Sequence, residues 1–519
     1  MSAALAVKSP RAFVASNHQQ RFFEWVAVGS GSATLKAVAG SGKSTSIVRA
    51  LAGIPETATV LILAFNAPVA KEMRGKIVDF GLEVGRPFRN IEAATFHSRG
   101  FRALCKRWPR DSKIEVDSGK VRKILKDRLS ERELDMYGDF VCKLVGYAKG
   151  VGVGIPGLAP DEYATWSEII ATQEMWLDDE EATEARAIDV ARKALKVSNH
   201  KAETEKWIDF DDQLYLPLFW NLRLFQHDWV IVDECQDTNP VRRLFARRSL
   251  KPSGRFVGVG DPCQSIYAFT GANSNAMDLI AAEFHTVELP LTTSYRCPKA
   301  VGTLARDLVP YFEVADTNPD GEVEWLPAKK AIAKLSNADA VLCRQTAPLV
   351  SLAFALIADG RGYFVLGKDI GAGLANLIKK LRPKGVPNLI ERLDAWVEKE
   401  VAEAEKAGKP AKGEAAADRA AAIRVVADSI PEADRTVPSV LARIAELFAD
   451  GTGNGLLTLS TIHKAKGREW SNVAVLAPEL SPSKAAKSVE AYQQELNLQY
   501  VRDTRTKFGL YFMEGEYAR

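Results

Sequence analysis

The stretch Leu35-Lys36-Ala37-Val38-Ala39-Gly40-Ser41-Gly42-Lys43-Ser44 decides how the rest of the chain is read. It passes from an apolar strand end through a glycine loop into a helix start. Gly40 and Gly42 permit a tight turn whose N–H groups, that of Ser41 included, converge on an anion. A helix opening near Lys43 aims the positive end of its dipole at the same point. In such a loop the Lys43 ammonium reaches the outer phosphates of a nucleotide, the Ser44 hydroxyl takes magnesium, and Thr45 follows on the first turn. The phosphate-loop pattern has glycine where this chain has Ala37, so a plain Gly/Ser turn between strand and helix is the competing reading.

The 519 residues exceed one hydrophobic core, and domains of about 100–200 residues predict three to four units. Hydrophobic residues at 46% and charged residues at 26% mark a folded chain rather than a disordered one. A net charge of only +3 confines any nucleic-acid surface to a local groove. Cys105, Cys142, Cys235, Cys263, Cys297 and Cys343 show no Cys-x-x-Cys or Cys/His spacing, which argues against zinc, iron–sulfur clusters and a disulfide framework. No signal-peptide core and no apolar run near the ~18 residues of a membrane span is present. The expectation is a cytoplasmic, soluble protein without a membrane partner.

Ser16 or Asn17 caps an amphipathic run over 21–28, and the amide of Gln20 matches the donor and acceptor edges of an adenine. Residues 59–65 form a near-continuous apolar run, as a parallel strand buried on both faces requires. A helix is expected over 66–77, and residues 93–97 read as a strand end leading into a loop. Phe65, Asn66, Thr95 and His97 stand just beyond strand carboxyl ends, where α/β proteins bind ligands, although core packing and capping account for Phe65 and Thr95 equally well. Residues 113–129 and 180–195 read as charge-rich helices. Trp229-Val230-Ile231-Val232-Asp233-Glu234 is an apolar strand ending in two carboxylates: Asp233 suits a magnesium shell, and Glu234 can accept a proton from attacking water. A further strand over 256–260 delivers Asp261 and then Gln264, placed to sense a γ-phosphate, with Tyr267 and Phe269 suited to stacking on unpaired bases.

The Gln20 segment, residues 39–44, Asp233-Glu234-Cys235-Gln236-Asp237-Thr238-Asn239 and Gly260-Asp261-x-x-Gln264-Ser265-Ile266-Tyr267 resemble, in order and spacing, the UvrD/Rep-like superfamily 1 helicases in a compact form. Ser294-Tyr295-Arg296, Thr461-Ile462-His463-Lys464-Ala465-Lys466-Gly467-Arg468-Glu469-Trp470 and Tyr500-Val501-x-x-Thr504-Arg505 continue the resemblance. It implies that Gln20 and Tyr295 hold adenine, that Lys43 and Ser44 take phosphate and Mg2+, and that Glu469 contacts the sugar side. It also implies that Gln264 couples the γ-phosphate to DNA and that Arg296 and Arg505 reach the triphosphate. The DNA-facing set it implies is Phe65, Asn66, Thr95, His97, Tyr267, Phe269 and His463. Thr45 and Ser46 after Ser44, and Thr270 before Gly271-Ala272, depart from the family pattern, which has arginines there.

The fold expected is α/β: two RecA-like motor domains with parallel sheets, each with a mainly helical insertion. The first motor takes residues 1–110 and 200–290 around an insertion at 111–199, and the second takes 291–370 and 453–519 around a short one at 371–452. The polar break at 406–413 separates helices of that second insertion. The resemblance implies an ATP-dependent DNA helicase moving 3′ to 5′ on single-stranded DNA, with ATP in the interdomain cleft and single/double-strand junctions as substrate. The helical insertions offer a surface for a protein partner, and the motor class is that of bacterial or phage chains. A DNA-stimulated translocase that displaces proteins or powers a nuclease, and an ATP-gated nucleic-acid sensor, are the alternatives.

Overall fold

The computed structural model describes residues 13–109, 112–173, 175, 177, 181–266, 275–406, 408, 410–449 and 455–515. The chain divides into two compact units, residues 1–37, 42–260 and 270–293 in the first and residues 38–41, 261–269 and 294–519 in the second.

The first unit is built on a six-stranded, wholly parallel sheet in the order Ile91–Thr95, Val60–Ala64, His227–Asp233, Leu250–Gly260, Ser32–Ala37, Thr286–Leu291. Alternate side chains serve opposite faces. Leu61, Leu63, Val230, Val232 and Phe256 enter one core, and Val60, Ile62, Trp229, Ile231, Val257 and Val259 enter the other. Burial on both faces explains why these strands read as continuous apolar runs. The register sets Ala64 level with Thr95, and Asp233 level with Val259. The carboxyl ends that carry the candidate residues therefore share one edge of the sheet.

The helices Lys120–Lys126, Glu131–Val151, Tyr163–Thr172 and Glu184–Glu205 pack into the first of these cores, with Val141, Leu144, Val145, Ala191 and Leu195 joining the sheet residues. The helix expected over 113–129 is shorter than expected. Glu115–Val116 instead pairs in parallel with Trp207–Ile208, and the Asp117 side chain accepts the Gly119 N–H (2.8 Å), forming a turn from which helix starts only at Lys120. The helix expected to end at 195 continues to Glu205.

The second unit repeats the plan, with parallel strands in the order Glu322–Pro327, Thr506–Glu514, Trp470–Val475, Ala340–Cys343, Leu457–Thr461, Tyr363–Leu366. Val341, Cys343, Leu457, Leu459 and Ala474 line one core, while Ala340, Leu342, Val473 and Val475 line the other. Four helices follow the last-named strand in the chain, Lys368–Leu381, Val386–Lys406, Pro410–Asp428 and Val437–Leu447, and Gly408 (φ 65°) marks the expected break. Ile378, Leu389, Ile423, Val426 and Ile444 share the Val341 core, so these helices and the sheet bury one apolar interior. The Asp418 carboxylate accepts the N–H groups of Thr346 (2.9 Å) and Ala347 (2.8 Å), capping the helix Ala347–Ala358. No described helix is long and apolar enough to cross a membrane.

Candidate nucleotide site and nucleic-acid interface

In the first unit Gly42 (φ 76°) is the cap residue of the helix Lys43–Ala50, and Ser44 and Thr45 follow in its first turn, partly accessible. The Lys43 ammonium lies 3.3 Å from Glu234 Oε2. Glu234 stands just beyond the strand His227–Asp233 in the left-handed region (φ 52°), a conformation that costs a non-glycine residue about 1–3 kcal/mol and that points its carboxylate back toward the loop. Its N–H donates to Asp233 Oδ1 (3.0 Å), and Gln236 Nε2 donates to Glu234 Oε2 (2.6 Å). A Cβ on Gly260 would fall 2.4 Å from Gln236 Oε1, so a side chain there would displace the Gln236 amide from its place beside Glu234.

Asp233 is 4% exposed. Burial, and then the neighbouring Glu234 charge, push its carboxyl up to about 7 against the pull of Lys43. A hard divalent cation would relieve that crowding of negative charge, and the oxygen donors Ser44 and Asp233 suit magnesium. One carboxylate and one hydroxyl are the ligand set of a cation that keeps other oxygens around it, as magnesium does when it is held together with phosphate. Gln20 is exposed on the helix Asn17–Val28. Its neighbour Gln19 is buried, completes a capping box with Ser16, and donates to Ser46 Oγ (3.0 Å). Ser46 thus spends its hydroxyl on holding that helix against the one starting at Lys43.

In the second unit Gly40 (φ 72°) accepts the Tyr295 N–H at its carbonyl (2.9 Å), and a Cβ there would lie 2.5 Å from Arg296 Cβ. The Ser41 hydroxyl is buried and has no hydrogen-bond partner among the described residues. Tyr500 donates from its hydroxyl to Asp261 Oδ2 (3.3 Å) and accepts the Ala39 N–H (2.8 Å). Gln264 donates to the same Asp261 oxygen (2.6 Å) and accepts from Arg505 Nη2 (3.4 Å).

Arg505 is 1% exposed. Its remaining donors meet the Val501 and Arg468 carbonyls and the Thr504 hydroxyl, and no described carboxylate forms an ion pair with it. Burial, and then the Arg296 charge, pull it down to about 10. A buried guanidinium without a counter-ion, beside a second one, is an arrangement that an anionic ligand stabilises. Arg296 Nε lies 2.5 Å from Glu469 Oε2, and Lys507 pairs with the other Glu469 oxygen (2.7 Å). Burial raises the Glu469 carboxyl, yet Arg296 and Lys507 hold it below its ordinary range. Tyr295 is exposed.

The other candidates of the first unit gather beyond the Ala64 and Thr95 strand ends. Asn66 caps the helix Ala67–Val84, and Thr95 forms a capping box with Ser98 at the head of the helix Phe96–Arg107. His97 therefore lies in the first turn of a helix and not in a loop. The reason is visible at Gly100, where a Cβ would meet the Gln213 carbonyl at 2.0 Å: close packing against the helix Asp212–Phe219 holds helical a segment that glycine makes a poor helix former by itself. The His97 ring stacks on Phe210 (4.0 Å between centroids, 23°), and Arg242 lies over the Phe65 ring at 4.8 Å. Burial, with Arg242 adding to it, lowers His97 to about 4 and keeps the imidazole neutral. Phe210 is 54% exposed. In the second unit His463 is likewise held to about 4, by burial and then by Arg344. Tyr267, Phe269 and Thr270 lie outside the described residues.

Sequence reading missed Phe210, Arg242, Gln236 and Tyr500 as members of these groups. A lone aromatic in Asp209-Phe210-Asp211-Asp212 carries no periodic signal, whereas the run of carboxylates around it was available as a cue. Tyr500 stands in the run Tyr500-Val501-x-x-Thr504-Arg505, where nothing in the linear order marks its hydroxyl as the partner of Asp261 and Ala39.

A profile of the UvrD/REP helicase N-terminal domain matches residues 17–285, more than half of the chain. ATP-dependent DNA helicase UvrD2 of Mycobacterium tuberculosis is 25% identical over 330 residues, covering 59% of this chain and 45% of its own length. ATP-dependent DNA helicase UvrD1 of the same organism is 28% identical over 296 residues, covering 52% and 36%. The crystal structure of Arterivirus nonstructural protein 10 (helicase) aligns over 95% of this chain and 62% of its own at 12% identity, with a TM-score of 0.34. The chain spans less than half the length of these two curated relatives. Through the match over residues 17–285, this chain belongs to the UvrD/REP helicase family.

Proposed function

We propose that this chain is an ATP-hydrolysing motor that moves 3′ to 5′ on single-stranded DNA and separates strands at single/double-strand junctions. The observation that carries the reading is the Lys43 ammonium resting 3.3 Å from Glu234 next to the buried Asp233. A triphosphate competes with Glu234 for that ammonium. Once Lys43 turns to phosphate, the Glu234 carboxylate is released to accept a proton from attacking water. Magnesium bound with the nucleotide would be held by Ser44 and Asp233 and would neutralise phosphate charge. Gln20 and Tyr295 hold the adenine, and Glu469 faces the sugar.

Arg296 and Arg505 stabilise charge on the transferring phosphoryl oxygens, where a planar, permanently charged fork is well suited. Gln264, hydrogen-bonded to both Asp261 and Arg505, is the relay by which γ-phosphate loss alters the segment leading to Tyr267 and Phe269. On the nucleic-acid side, Phe65, Asn66, Thr95, His97 and His463 contact the strand, and the stack of Phe210 on His97 receives a base.

The test is ATP turnover with and without single-stranded DNA, followed by unwinding of 3′-tailed and 5′-tailed DNA and RNA duplexes. Strong stimulation by single strands, strand separation from a 3′ DNA tail, and loss of turnover in Lys43→Ala and Glu234→Gln are expected. DNA-independent turnover overturns the reading, and protein displacement without strand separation replaces the helicase with a translocase.

A further inference from the structure

Four buried charges meet at the turn that carries Phe210. Lys149, on the helix Glu131–Val151, pairs with Asp209 and with Asp212 Oδ1 (2.7 Å). Lys120, on the helix Lys120–Lys126, pairs with Asp212 Oδ2 (2.7 Å) and donates to the Ser198 carbonyl (2.8 Å). All four side chains are shielded from water. The two aspartates also lock the turn between them: the Asp209 N–H donates to Asp212 Oδ2 (3.0 Å), and the Asp212 N–H donates to Asp209 Oδ1 (2.8 Å). Phe210 and Asp211 are the exposed residues of that turn, and the Phe210 ring lies on His97.

Isolated buried ions are costly, and pairs of them are retained in part where they fix one conformation. Here the ion pairs run from the helical insertion to both ends of a reciprocal cap, and the one large apolar group the cap displays is aimed outward. Nothing in the hydrolytic chemistry uses these charges.

We infer that Lys149 and Lys120 are positioning residues for the Phe210 platform, so that the helical insertion serves as the brace that presents this ring, flat against His97, to a nucleic-acid base. The inference rests on the nucleic-acid reading given above. It assigns the insertion a task in strand contact. Lys149 acts through Asp209 and Asp212, and the two N–H groups they accept fix the backbone on either side of Phe210. Arg242, from the helix Pro240–Arg248, is the charged group that acts on His97.

The experiment compares Lys149→Met, Lys149→Arg, Asp209→Asn and Phe210→Ala in the full chain by two readouts. The first needs no nucleic acid: titration of the His97 ring in protein carrying carbon-13-labelled histidine. The wild-type midpoint is expected near 4. Phe210→Ala uncovers the ring and moves the midpoint toward the ordinary value of about 6.5. Lys149→Met moves it in the same direction, whereas Lys149→Arg keeps it low. Asp209→Asn retains the acceptor for the Asp212 N–H but loses the charge for Lys149. It is expected to shift the midpoint partway, and it keeps the test open should Lys149→Met fail to fold.

The second readout is the affinity for a labelled single-stranded oligothymidine. About tenfold weaker binding is expected in both Phe210→Ala and Lys149→Met, with ATP turnover in the absence of DNA unchanged in Lys149→Met. A His97 midpoint that shifts in Phe210→Ala but stays at the wild-type value in Lys149→Met and Asp209→Asn overturns the inference. Oligothymidine failing to bind wild type overturns the nucleic-acid reading and with it the presented-base clause, while the titration still decides whether Lys149 holds the ring.

Discussion

Replacing Arg505 by lysine tests the second unit's part in turnover, and its outcome follows from the burial of that site. The guanidinium is pulled from its ordinary value to about 10, first by burial and then by Arg296. The same environment acting on lysine, whose ordinary value of about 10.4 already lies below that of arginine, lowers the ammonium in the same direction. The variant therefore gives up its charge at lower pH than wild type, whose guanidinium holds its proton across the neutral range. Lysine also replaces a fork bonded to Val501, Arg468, Thr504 and Gln264 by a single point charge.

An arginine acting on a transferring phosphoryl group is worth about 10³–10⁵ in rate. With the fork lost, turnover at pH 7 is expected to fall about 10²–10³-fold, roughly 3–4 kcal/mol of barrier. Relative to wild type, the loss is expected to deepen as pH rises from 7 to 9, because the ammonium gives up its proton before the guanidinium does. The assay is steady-state ATP hydrolysis across that range, with saturating single-stranded DNA. A loss of threefold or less, or a variant-to-wild-type ratio that stays constant with pH, refutes the assignment of Arg505 to the phosphate.

Gly40→Ala forces a side chain into the left-handed region and against Arg296 Cβ, so nucleotide affinity measured with a fluorescent ATP analogue should fall, with about 1–3 kcal/mol of stability lost to strain. Lys412 is buried against Glu400 (2.9 Å) and Glu403 (3.2 Å), and Lys412→Met leaves a buried carboxylate without its cation. About 3–5 kcal/mol should be lost, lowering the Tm of the second unit's calorimetric transition by roughly 10 °C. His97 and His463 are both held to about 4. The unfolded chain takes up protons below about 6.5 while the folded rings resist until about 4, so their stabilising effect is complete above 6.5 and is lost as pH falls through that window. Urea unfolding at pH 7.5 and pH 5 should show a drop of about 1–2 kcal/mol per ring, reduced by the rings' partial exposure, and His97→Gln should remove the first unit's share.

The parallel strands were legible because burial on both faces leaves an unmistakable apolar run, as at 60–64 and 229–233. Their carboxyl ends then pointed to Lys43, Asp233 and Glu234 without further information. The helix carrying His97 was not legible. Gly100 and the polar residues before it weaken its intrinsic preference, and the packing partner that stabilises it lies more than a hundred residues further along the chain. Phe210 was hidden for a similar reason, since an exposed ring gains meaning only from the imidazole beneath it. Conversely, the carboxylates around it belong to an ion network whose cations come from separate helices, and a linear pattern cannot register such a convergence.

The Asp418 cap has a mechanical consequence. A hinged appendage needs a seam of few contacts along which it can turn, and here that seam is closed twice, by a shared apolar interior and by a carboxylate holding the first N–H groups of the helix Ala347–Ala358. Force applied to the helix Pro410–Asp428 is delivered to the second sheet without an intervening joint. By this packing the four helices are part of the body of that unit, sharing one interior with its sheet, and are not an attachment to it.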